Sequence, residues 1–191
     1  MKKSKKTSLP TSGRIGRIAR ILVSEVGESR ARKIMKGAET FNQLSQPLKA
    51  EYIKNMIKRM KQIIGVPKTY QLLVSCGQKC CGVSTRKKAT EIFKKSKSLK
   101  EFINLLNKQG IGGGRLKMKD KTTITGGYDR CYCGMVSKTR SPFTDTTYCT
   151  CSTGWYKQLF ETALGRPVEV KILQSIVAGA ETCEFIIKLK E

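Results

Sequence analysis

Three consecutive glycines, Gly112-Gly113-Gly114, divide this sequence into two stretches with different hydrophobic periods. A helix does not run through three glycines, because each one pays the largest backbone entropy cost of any residue. The run is no phosphate loop either, since it lacks the Gly-Lys-Ser/Thr ending and no helical pattern follows. It reads as a linker. Before it, apolar residues recur every three or four positions. After it, they alternate.

The first stretch predicts helices. Ile15, Ile18, Leu22 and Val26 share a face, and Gly27 interrupts the helix before Ile34 and Met35 resume it. Leu48, Tyr52, Met56, Met60 and Ile63 form a second face after the turn at Gln46-Pro47, with the methionines as core filling. Tyr70, Leu72 and Leu73 open a further helical stretch that runs into the first cysteines. Ser98 with Glu101 three residues on is a capping box. It starts a helix through Leu99, Phe102, Ile103 and Leu106 that Gly110 ends.

The second stretch predicts strands. Leu116 and Met118 alternate with lysines, and Asp120-Lys121 turns the chain into Thr122–Thr125. Cys131 to Val136 and Thr147 to Cys151 read as short strands around a loop with Ser141-Pro142. Ser152 or Thr153 caps an inserted helix through Trp155, Leu159 and Phe160 to Gly165. Val168, Val170 and Ile172 share one strand face, and Cys183, Phe185, Ile187 and Leu189 share another, with a turn near Ala178-Gly179-Ala180. The expected fold is α+β: N-terminal helices packed on a C-terminal antiparallel sheet with one inserted helix. Residues 1–12 read as a flexible basic arm, 13–110 as the helical part and 111–191 as the sheet part of a single domain.

Composition narrows the chemistry. The 191 residues include 38 Lys and Arg against 14 Asp and Glu, a formal charge of +24, and histidine is absent. Without histidine there is no Ser-His-Asp triad, no Cys-His pair and no mixed Cys/His zinc site. No apolar run reaches the roughly 18 residues of a membrane span, and the lysine-led N-terminus has no apolar signal core. The expected compartment is the cytoplasm. The charge suits an anionic partner. A small ligand, anionic or apolar, stands ahead of nucleic acid, because the basic runs carry no interleaved aromatics and no nucleic-acid motif. A homodimer is left open.

Eight cysteines, at 76, 80, 81, 131, 133, 149, 151 and 183, carry the remaining signal. In a reducing compartment such clustering points to metal, redox or nucleophile chemistry before disulfides. Paired as a hairpin, the two C-x-C segments set Cys131 opposite Cys151 and Cys133 opposite Cys149, with Cβ atoms about 5 Å apart. Four thiolates there would suit tetrahedral zinc ahead of an iron–sulfur cluster. Reactive thiols and small buried hydrophobes are the alternatives. Cys76, Cys80 and Cys81 form a second cluster. On a helix Cys76 and Cys80 share a side, Cys81 lies about 100° round, and Gly77 leaves room for a ligand or another backbone. Cys183 continues an apolar strand face and reads as core.

Several of these residues carry a resemblance. Cys131-x-Cys133, Tyr148-Cys149-Thr150-Cys151-Ser152-x-Gly154-Trp155, Phe160-Glu161, Gly165-x-Pro167-Val168-x-Val170 and Ser175-Ile176-x-x-Gly179-x-x-x-Cys183-x-Phe185-x-Ile187 follow one another in order. Together they resemble a bacterial and archaeal family related to L-2-amino-thiazoline-4-carboxylate hydrolase and to the 4-vinyl reductase-type (hydrocarbon-binding) domain. Cys76-Gly77-x-x-Cys80-Cys81 is similar to an element in the helical part of the same group. The resemblance spans about residues 40 to 190 and implies a TRAPP-like fold, often with a ligand pocket.

Two functions head the expectations: a small-molecule-binding or sensing domain with a zinc-holding cysteine site, and a cysteine-dependent hydrolase of a small C–N or C–S bond. Cys149 and Cys151 are the candidate nucleophiles of the second. Arg130, Lys138 and Arg140 are the cations available to depress a thiol pKa.

Overall fold

The structure, a computed structural model, describes residues 8–190. The basic arm expected over residues 1–12 therefore lies, for residues 1–7, outside the described residues. The chain forms two compact units. The first runs to Leu72 and takes in Gly134–Arg140; the second comprises Leu73–Cys133 and the chain from Ser141 on.

The first unit is helical. Helices α1 (Gly13–Val26) and α2 (Glu28–Ile34) are separated at Gly27, as the period predicts, and a 3-10 turn at Ala38–Gln43 leads to α3 (Gln46–Ile64). Ile15, Ile18, Leu22, Ile34 and Met35 are buried, as are Met56 and Met60. The expected α3 face needs one correction. Leu48 is exposed, and the buried stripe is Ala50, Ile53, Met56, Ile57 and Met60. Leu48 belongs to the first turn of α3, one step off that stripe. Arg59 ties α3 to the end of α2: its Nε donates to the Ile34 carbonyl at 2.7 Å, where a cation also meets the negative end of the helix.

Helix α4 (Val66–Cys80) contains the boundary between the units. From Leu73 on it belongs to the second unit, with α5 (Val83–Lys95), α6 (Leu99–Lys108) and α7 (Thr150–Leu164). The capping box forms. Ser98 accepts the Glu101 N–H at 3.2 Å, and the Glu101 carboxylate accepts the Lys97 N–H at 2.7 Å, one residue earlier than the usual partner. The triple glycine makes a 3-10 turn with φ of 76°, 86° and 72°, values that bar a side chain, and it delivers the chain to the sheet.

The sheet is antiparallel throughout, in the order β1-β2-β4-β3, with β1 Lys117–Met118, β2 Thr123–Tyr128, β3 Val168–Gln174 and β4 Cys183–Leu189. Asp120 makes the expected turn by accepting the Thr122 N–H at 2.9 Å. Cys183, Phe185, Ile187 and Leu189 are all buried on one face of β4. They join Phe102, Ile103, Leu106, Tyr156, Leu159 and Phe160 of α6 and α7 in a single core. Tyr156 lies at its centre. Its ring is 5.0 Å from Phe185 and stacked on Tyr128 at 5.8 Å, and its hydroxyl donates to the Gly112 carbonyl at 2.9 Å. The α+β expectation is borne out.

Two segments read as strands are not strands. Cys131–Cys133 is irregular, a turn follows at 134–138, and Thr147–Cys149 is a 3-10 turn that runs straight into α7. Threonine content favoured a strand on propensity. In the fold those hydroxyls bond back along the chain instead: Thr150 Oγ1 donates to the Thr147 carbonyl at 2.8 Å and Thr153 Oγ1 to the Thr150 carbonyl at 2.7 Å. Asp145 accepts the Thr147 N–H at 2.8 Å and starts the turn. Helix α7 thus begins before Ser152, the earlier of its two expected caps, and the cysteine hairpin does not form.

Helices α4 and α7 cross backbone against backbone. A Cβ built on Gly77 would lie 1.7 Å from the Cys151 carbonyl oxygen, and one on Gly154 would lie 2.0 Å from that of Val74. Gly154→Ala should therefore destabilise the chain by about 3 kcal/mol or more, overriding the roughly 1 kcal/mol that alanine gains in a helix. Gly134→Ala, which meets nothing within 4 Å, should stay within about 0.5 kcal/mol of wild type. Urea denaturation of the two variants decides; equal stability would show that the helices do not touch there.

A buried thiol cluster as candidate functional site

All eight cysteines lie in the second unit, as thiols. The α4–α7 crossing positions five of them. Cys76 and Cys80 ride on α4 and Cys81 follows it, while Cys149 and Cys151 stand at the start of α7. Cys183 opens β4 opposite Tyr128, the last residue of β2, from which the chain leads directly to Cys131 and Cys133. Cys76, Cys81, Cys149 and Cys183 are buried, and the other four are half-buried.

The second of the C-x-C segments meets the first without a hairpin. Cys133 Sγ shares a hydrogen bond of 3.0 Å with the hydroxyl of Tyr148, which adjoins Cys149. Cys149 is held by the buried Ser175 hydroxyl and lies within Coulombic reach of Cys131, Cys133 and Cys183. Cys183 Sγ in turn accepts the Ile176 N–H at 3.4 Å. The Phe143 N–H donates to the Val177 carbonyl at 2.8 Å and fastens the intervening loop to the same turn. Tyr128 joins the two cysteine groups, because Cys81, Cys151 and Cys183 all act on its phenol.

Electrostatics keep these groups neutral. Burial, above all, pushes the Cys149 thiol up to about 12, and the neighbouring thiols add to the rise. A helix N-terminus ordinarily depresses a cysteine; here desolvation outweighs it. Burial likewise raises Cys81 to about 11 against the opposing pull of Arg86, whose buried Nε has no hydrogen-bond partner. Tyr128, Tyr148 and Tyr156 are all raised, with burial the largest cause in each. Cys81, Cys149, Cys183 and these tyrosines are held in their protonated, polarizable forms.

The sequence-predicted residues fare differently. Cys131 and Cys133 lie near Cys149 by way of a loop and a helix start rather than the hairpin expected from the spacing, and Cys151 stands in the first turn of α7. Cys183, read as core, is both core and a neighbour of Cys149. Cys80 and Cys81 feel each other. Among the described residues, no three His, Cys, Asp or Glu side chains stand in an arrangement that holds a metal ion as it is. Tyr128, Tyr148 and Ser175 were not assigned a role from sequence. Tyr148 and Ser175 do lie in the quoted motifs, and that was the available signal.

These shifts fix the sign of a pH dependence. The unfolded Cys149 thiol ionises near its ordinary value of 9.0, whereas the folded one stays protonated to about 12. Between those values the folded chain binds more protons, so the stabilisation is complete below pH 9 and is lost as pH rises toward 12. The urea midpoint should fall from pH 9 to 11, and Cys149→Ala should flatten that fall. A midpoint that holds steady, or a variant with the same slope as wild type, would contradict the burial of this thiol.

The chain is similar in fold to a trafficking protein particle complex subunit 3 from Naegleria fowleri, whose crystal structure is covalently bound to palmitic acid. The two share 18% identity over 75% of this chain and 93% of that one, with a TM-score of 0.50. An H-NOX protein from S. oneidensis, in the Fe(II)NO ligation state, is also similar. It shows 14% identity over 93% of this chain and 98% of its own, with a TM-score of 0.46. No curated protein matches the sequence. Among the described residues, no helix is long and apolar enough to cross a membrane. Residues 17–191 match a family of unknown function, DUF6144, and the chain belongs to that family.

Proposed function

We propose that this chain is a small-molecule-binding or sensing domain whose receptor is the thiol cluster, and that the ligand is a soft cation, zinc being the one to test. One observation carries the reading: Cys131, Cys133 and Cys183 all act on Cys149, although the four come from three separate parts of the chain. Zinc takes thiolate sulfur at about 2.3 Å. The thiols must therefore close in and give up protons as the ion enters. Binding that draws the Cys131–Cys133 segment onto the start of α7 is a conformational response, which distinguishes a sensor from a prebuilt structural site. A reducing compartment such as the cytoplasm would keep the thiols available.

The hydrolase reading has less support. A nucleophilic cysteine needs a depressed pKa. Cys149 has the opposite, and histidine is absent.

The test is titration of the reduced full chain with zinc against a chromophoric chelator, with melting temperature followed in parallel. About one zinc per chain is expected, with affinity rising from pH 6 to 8 and the melting temperature rising with zinc. Cys133→Ser and Cys149→Ser should each lose zinc, and the double variant should lose little more. Zinc that leaves the melting temperature unchanged, or that binds both variants as it binds wild type, overturns the proposal.

A further inference from the structure

Helix α5 packs one side and exposes the other. Ala89 is buried in the core of the second unit, Ile92 and Phe93 pack against that core, and Thr90 Oγ1 donates to the Thr162 carbonyl of α7 at 3.4 Å. Ser84, Lys87, Lys88, Glu91, Lys94 and Lys95 are exposed on the opposite arc. At about 100° per residue the lysines fall into two rows along the helix. Lys87 and Lys94 form one and Lys88 and Lys95 the other, with about 10.5 Å between the members of each. Glu91 stands between the rows, about 40–60° round from each lysine. The first turn of α5 holds no acid. The ion pairs Arg115–Asp129, Lys157–Glu161, Lys171–Glu169 and Lys190–Glu169 of this unit use none of the four lysines. Four positive charges on one helix face thus meet a single carboxylate.

We infer that this face is a docking surface for duplex DNA, with α5 lying in the major groove. That groove is about 12 Å wide, and a helix with its side chains is about 10–12 Å across. The two rows then meet the phosphates that border the groove on either side, each lysine acting as a point charge. Glu91 decides between anionic partners. Against a flat anionic membrane, the carboxylate in the middle of the arc would meet the lipid phosphates first. In the groove it faces the base edges, where a carboxylate accepts from the cytosine N4 amino group. No aromatic side chain shares the arc, so the face lacks the stacking platform of a single-strand binder. The deep, narrow major groove of duplex RNA does not admit such side chains. No cysteine lies on this arc, so this inference and the zinc reading stand or fall separately.

The test is fluorescence anisotropy of the reduced full chain with a labelled duplex DNA of about 20 base pairs, over a series of salt concentrations. The logarithm of the binding constant should fall linearly with the logarithm of salt concentration. Lys87→Gln/Lys94→Gln and Lys88→Gln/Lys95→Gln should each weaken binding by about tenfold at ~0.1 M salt and flatten that slope by roughly 2. Lys119→Gln/Lys121→Gln removes the same charge at exposed positions between β1 and β2, and should weaken binding by less than about threefold. All six lysines are exposed, so the fold should survive, and melting temperatures verify that. Where a pair perturbs the fold, the single changes give the same reading, at roughly 1 of slope each. Row variants that bind like wild type would overturn the assignment, as would a Lys119/Lys121 variant that loses as much as they do. So would duplex RNA, or vesicles of phosphatidylserine and phosphatidylcholine, bound as tightly as duplex DNA.

Discussion

The contact between α4 and α7 is the constraint on which the cysteine site depends. Two glycines, Gly77 on α4 and Gly154 on α7, let one backbone lie against the carbonyls of the other. Ordinary side chains hold packed helix axes 8–10 Å apart. The closer crossing brings Cys76, Cys80 and Cys81 alongside the start of α7, where Cys149 and Cys151 stand. Tyr156 and Phe160, further along α7, then reach the sheet and close the core against Phe185. The same helix thus gathers thiols at one end and anchors the hydrophobic core along its length. Its far end is fixed as well. Lys157 and Glu161 of α7 clamp the start of β3, with Lys157 Nζ donating to the Val168 carbonyl at 3.0 Å and Glu161 accepting the Val168 N–H at 3.1 Å.

Gathering thiols in a dry place has an electrostatic consequence. Cys81, Cys149 and Cys183 resist ionisation because burial penalises the charged form, and an ionised neighbour raises that resistance further. The tyrosines at the cluster follow the same rule. These three thiols react slowly with electrophiles at neutral pH and faster as pH rises, since the thiolate is the reactive form. A soft cation changes the balance by replacing several protons with one charge.

Much of the architecture was legible in sequence because it rests on periodicity. The faces of α1 and α6, the capping box at Ser98, the break at Gly27, the triple-glycine turn and the alternation of β4 all follow from local chemistry. Gly77 was read as a place of close approach, and a backbone does approach there. The hairpin misreading has a specific cause. Thr147, Thr150 and Thr153 favour strands by propensity, but with Asp145 fixing the turn the hydroxyls of Thr150 and Thr153 bond three residues back and wind a helix. Leu48 shows a different limit, since a period can drift by one position in the first turn without altering the pattern. The assembly of the cluster lay beyond the sequence. Tyr128, Ser175 and Cys183 meet Cys149 or Cys151 only because β2 pairs with β4 and the turn at Ser175 folds back, and pairing order is a property of topology.

The central claim is that cysteines distant in sequence share one neighbourhood in the second unit. Oxidation of the dilute reduced chain with diamide at pH 9, where a larger fraction of the raised thiols is ionised, followed by mass spectrometric mapping of disulfides, tests it most directly, because only thiols that approach in space can bridge. The account predicts intramolecular bridges between Cys149 and Cys131, Cys133 or Cys183. Bridges confined to sequence neighbours such as Cys131–Cys133 and Cys80–Cys81, or found only between molecules, would contradict it.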